Sequence, residues 1–118
     1  MKKLYVFGNE YLENDSFAGK VARQLQDVEL VYCRSPDDLL DAEEDVMILD
    51  VVKNITAPII IDDISKLKVN NIISLHDFDL GYFLNLMREL DMDKNVKIIG
   101  VPMNGDDKKI AEKVSTWL

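Results

Sequence analysis

One cysteine, one histidine and five glycines are spread over 118 residues, and each scarcity removes a class of protein. A lone Cys33 can close no internal disulfide and can supply no multi-thiolate metal site, which leaves it the role of a small buried hydrophobe. Gly8, alone after the first strand, makes neither a P-loop nor a dinucleotide fingerprint. Ser16, Ser35, Ser65, Ser74 and Ser115 lack the Gly-x-Ser-x-Gly turn of a nucleophilic hydrolase, and Cys33 has no adjacent histidine. No window approaches the ~20 apolar residues that a membrane span requires. The apolar stretch Leu4 to Gly8 after Met-Lys-Lys is also too short for a signal-peptide core, so a cytoplasmic location without membrane insertion is expected. Positive charge is scarce too: 14 Lys+Arg stand against 22 Asp+Glu, a formal charge of -8. Nucleic acid and anionic lipid are poor partners for such a surface, whereas metal cations or a basic peptide segment suit it.

What is present is apolar content, 47% of the chain, enough for a single domain over residues 1–118 with a real core. The stretch Val46-Met47-Ile48-Leu49-Asp50-Val51-Val52 is short and β-branched, the pattern of a strand buried on both faces. It carries a charge. Burying a carboxylate costs several kcal/mol unless it is paired, so Asp50 is expected near the strand's C-terminal end with a cation or donors beside it. Around this centre, Lys3 to Gly8 reads as a first strand, Ser16 to Leu25 as an amphipathic helix capped by Asn14 or Asp15, and Val28 to Cys33 as a second strand. In that second strand Val28, Leu30 and Tyr32 alternate against Glu29 and Val31.

Asp37 to Asp45 holds six acidic residues with Leu39 and Leu40, a short helix with a wet face. Ala57 to Asp62 is a strand that Pro58 confines to an edge, antiparallel in direction. Leu80, Phe83, Leu84, Met87 and Leu90 set a clear helix after His76, Val96 to Val101 a last strand, and Asp106 to Leu118 a terminal helix. Alternation of strands and helices predicts an α/β fold: a three-layer α/β/α sandwich on a mostly parallel five-stranded sheet with one antiparallel edge strand.

Three positions share one address in this scheme. Asp15 lies between the first strand and its helix, Asp50 ends the central strand, and His76 precedes a helix; all are expected at the carboxyl edge, where ligands collect in open α/β sheets. Two carboxylates and an imidazole form a mixed oxygen/nitrogen set suited to a divalent ion such as nickel or zinc, with coordination positions left open. Each has a plainer alternative: a helix cap for Asp15, a surface or capping residue for His76, a backbone amide as partner for Asp50. Phe78, Tyr82, Phe83 and Met87 read as helix packing, and Asp62 with Asp63 as a solvated edge pair.

Gly8-Asn9 with an acid six residues further on, Met47-Ile-Leu-Asp-Val-Val52, and Ser74-Leu-His-Asp-Phe-Asp-Leu80 together resemble the hydrogenase maturation endopeptidases. The resemblance implies an α/β/α protein that recognises nickel in an immature nickel-iron hydrogenase large subunit and removes its C-terminal extension. It implies Asp15, Asp50 and His76 as both metal ligands and catalytic residues, with nickel supplied by the substrate and zinc or cadmium as possible substitutes. The hydrogenase large-subunit precursor would be the partner. Two places depart from the family pattern: Asn14-Asp15 stands where an acid pair is usual, and Cys33-Arg-Ser-Pro36 where a glycine-bearing turn is usual. Two other readings share the central motif. A non-catalytic relative would bind metal or a partner without cleavage. A receiver-like signalling domain would use Asp50 as phosphoacceptor, but Gly8-Asn9 and Pro102-Met103 occupy the places where it needs an acid pair and a lysine.

Overall fold

A computed structural model describes residues 2–7, 17–33, 45–61 and 95–118. The elements among them are β1 (Lys2–Phe7), α1 (Phe17–Gln24), β2 (Val28–Cys33), β3 (Asp45–Val51), β4 (Ile59–Ile61), β5 (Asn95–Val101) and α2 (Asp107–Ser115). They build one five-stranded sheet in the order β2-β1-β3-β5-β4. All neighbours are parallel except β4, which runs antiparallel to β5. The fold is therefore α/β with a mixed, mostly parallel sheet, and β4 lies at the edge and runs antiparallel as expected.

Strand alternation sorts the side chains onto two faces. Leu4, Val6, Leu49, Val51, Ile99 and Val101 share one face with Phe17, Ala18, Val21 and Ala22 of α1 and Ile110, Ala111 and Val114 of α2. Each large residue buried in this way contributes about 1.5 to 3 kcal/mol. The other face gathers Tyr5, Phe7, Cys33, Val46, Ile48, Val52, Val96 and Ile98, with Ile59 and Ile61 against them. It is equally dry, since Ile48 and Ile98 have no exposed surface. Both described helices lie on the first face. The helix expected after His76 and all but the last residue of the one expected at 37–45 fall outside the described residues, and with them the second helical layer of the expected sandwich; Asp45 itself begins β3.

Local chemistry accounts for the helix ends. α2 is capped by Asp106, which has an extended backbone and whose Oδ1 accepts the amides of Lys108 at 3.1 Å and Lys109 at 3.2 Å. It closes with Lys113 set 5.4 Å from the centroid of the Trp117 ring. Between α1 and β2 the chain reverses through Asp27 at φ 59°, a left-handed turn. The two helices are tied where the Gln24 amide donates to Asp107 Oδ2 at 3.1 Å.

In β2, Val28 and Leu30 are partly buried on the face of the helices, Tyr32 is 47% exposed, and Val31 packs against the opposite cluster. Among the described residues β2 is an edge strand with one neighbour. No described helix is long and apolar enough to cross a membrane.

Candidate functional site

The strand order fixes where a site can form. From β1 the chain moves outward to β2, then returns past β1 to β3 and on toward β5, so the connections diverge between the carboxyl ends of β1 and β3. Open α/β sheets bind ligands in the crevice at such a switch point. Asp50, penultimate in β3, stands at that crevice.

Asp50 is fully buried and is the only buried charged residue among those described. It is engaged in an interaction within the protein. Alternation sets its side chain on the face of Ile48 and Val52, the one opposite α1 and α2. Across the sheet at this level stand Cys33 beside Phe7, and Gly100 beside both Asp50 and Ile59. Continuing the β1–β3 register from Tyr5↔Ile48 and Val6↔Leu49 sets Phe7 next to Asp50. The carboxylate thus occupies a row otherwise made of an aromatic ring, aliphatic chains, a buried thiol and a glycine. Nothing else in the composition of that row favours a charge, so the carboxylate depends on the interaction it makes for compensation.

Asp15 and His76 lie outside the described residues. The elements around them set constraints. β1 ends and α1 begins at the carboxyl rim, with Phe17 buried as the first helical residue two places after Asp15. Since α1 packs on the face opposite Asp50, an encounter between Asp15 and Asp50 has to cross the rim over the ends of β1 and β3. His76 is bracketed differently. The reversal of β4 makes the chain leave Ile61, level with Ile98 in the middle of β5, in the direction of the amino rim, where β5 begins. Ile61 and His76 are 15 positions apart, a reach of about 50 Å when extended, and the sheet is only about 23 Å long at seven residues per strand. The connection is long enough to bring an imidazole to Asp50. Among the described residues no three metal-ligating side chains converge.

Gly100 went unremarked in the sequence, although a glycine inside the strand run Val96-Lys-Ile-Ile-Gly-Val101 signals close approach of a neighbour. Here the neighbours are Val52 and Ile59.

The architecture at this point defines an α/β protein with a buried carboxylate at the switch point of its sheet. Comparison with protein-family models, with curated proteins and with solved structures gives no match to the chain.

Proposed function

We propose that this chain is a metal-dependent endopeptidase of the hydrogenase-maturation type, which recognises nickel in an immature hydrogenase large subunit and removes the C-terminal extension. The observation that carries the proposal is Asp50: a fully buried carboxylate at the switch point, on a strand otherwise apolar from Val46 to Val52. The three sequence motifs that place Asp15 and His76 with it supply the rest.

In this reading Asp15, Asp50 and His76 complete the coordination of an ion that arrives with the substrate. The nickel polarises the scissile carbonyl or activates water; water adds to the carbonyl carbon, the C–N bond breaks, and the departing amine takes a proton. The protein needs no nucleophile of its own, in keeping with the missing serine and cysteine signatures. Because Asp50 has no exposed surface in the free chain, docking of the substrate has to bare the carboxylate. The action is cytoplasmic and requires neither nucleic acid nor membrane.

Mass spectrometry of a nickel-loaded large-subunit precursor, before and after incubation, tests the proposal. Loss of a C-terminal peptide with the wild-type chain but not with Asp50→Ala is expected. Trimming by the variant refutes the role of Asp50. Metal binding without any product selects the non-catalytic relative instead. The order β2-β1-β3 with an aspartate ending β3 also suits a receiver domain, but Gly8-Asn9 and Pro102-Met103 stand where that reading needs an acid pair and a lysine. Phosphate incorporation at Asp50 from acetyl phosphate would favour it.

A further inference from the structure

Gly100 is the interior position of β5 without a side chain, and it stands beside Asp50 in the ladder. A Cβ at this position would lie 2.5 Å from Val52 Cγ2 and 3.1 Å from Ile59 Cγ1. Val52 and Ile59 therefore meet over the glycine. Val52 is fully buried, shares the face of Ile48 and Ile59, and follows Asp50 by two positions. Its N–H donates to the carbonyl of Val101 at 2.8 Å, which carries the β3–β5 pairing one residue past the end of β3.

We propose that Gly100 is a positioning residue for Asp50: by leaving the space that seats Val52, it sets where the end of β3 lies and hence where the carboxylate is presented. The proposal rests on the reading of Asp50 as the functional carboxylate. A β-branched side chain has one favoured rotamer and little freedom to swing aside. An alanine at 100 needs a contact of at least 3.4 Å where 2.5 Å is available, so Val52 must retreat by roughly 1 Å. Ile59 closes the other side of the gap. The displacement then passes into the backbone between Asp50 and Val52.

The experiment compares Gly100→Ala, Val52→Ala and the double variant, in which the added methyl fills space that the valine vacates. Thermal unfolding reads the packing. Processing of nickel-loaded precursor gives kcat and KM, and the carboxyl carbon resonance of labelled Asp50 reports its position without any substrate. Gly100→Ala is expected to unfold several degrees lower and to lose on the order of 100-fold in kcat, the scale of a 1 Å misplacement. KM is expected to change little and the Asp50 resonance to be displaced in Gly100→Ala, whereas the double variant, which lacks the Val52 methyl that the new Cβ meets, is expected to regain most of its stability, kcat and the wild-type resonance. If Gly100→Ala unfolds lower while its kcat and Asp50 resonance stay as in the wild type, Gly100 serves packing alone and the proposal is overturned. A wild-type chain that processes nothing overturns the peptidase reading instead, while a displaced or unmoved Asp50 resonance still decides the positioning role.

Discussion

Replacing Asp50 by Asn separates function from stability at the one charge buried among the described residues. The two side chains are nearly the same size, so the change removes the charge and leaves the packing around Phe7, Val52 and Gly100. Holding an ion in such a row costs several kcal/mol after relaxation, and interactions around it return only part of that. Replacing a whole buried ion pair by apolar residues is typically neutral to stabilising by about 1 to 4 kcal/mol, whereas deleting one partner of a pair costs about 3 to 5 kcal/mol; an amide of the same shape that keeps its hydrogen bonds falls with the first case. At the lower end, with a urea m-value of about 2 kcal/mol/M for a chain of this size, the unfolding midpoint rises by about 0.5 M. Processing is lost at the same time, because a neutral amide is a poor substitute for an anionic oxygen on a divalent ion. Urea unfolding followed by circular dichroism, alongside mass spectrometry of the precursor, reads both effects. A midpoint that falls by 1.5 M or more, about 3 kcal/mol at unchanged m, refutes the reasoning. It would mean that the carboxylate holds a structural partner in place and is kept for that.

Two further outcomes follow from the packing. Ile98→Ala deletes a side chain with no exposed surface between β3 and β4, and should cost 2 to 5 kcal/mol, read as a lower urea midpoint. Asp106→Ala removes the acceptor for two amides at the start of α2 and should cost about 1 kcal/mol; a thermal midpoint unchanged within a degree would show that the cap contributes nothing.

The parts of this architecture that could be read in the sequence are those where a single requirement dominates. β3 needed burial on both faces, and a run of apolar residues broken by one aspartate announced it to within a residue at each end. β4 needed an edge, and Pro58 announced that. The repeats Phe17, Ala18, Val21, Ala22 and Ile110, Ala111, Val114 marked the buried faces of α1 and α2. The exposure of Tyr32 depends on which strand lies at the edge, a property of sheet order that alternation within β2 does not encode. Gly100 was passed over for a similar reason: the need for a missing Cβ comes from Val52 and Ile59, distant in sequence and brought together only by the β3-β5-β4 pairing. Of the candidate site, the place of Asp50 at the carboxyl rim was legible, whereas the fate of Asp15 and His76 depends on connections that lie outside the described residues.

The central strand also has a consequence for how the molecule breathes. β3 is hydrogen-bonded to β1 on one side and to β5 along its whole length on the other, so its amides are expected to exchange with solvent only when the entire sheet opens. Asp50 is mounted on a strand expected to exchange slowly. Whatever uncovers the carboxylate then has to move around β3 and not with it, and the aspartate serves as the fixed datum against which a client is measured.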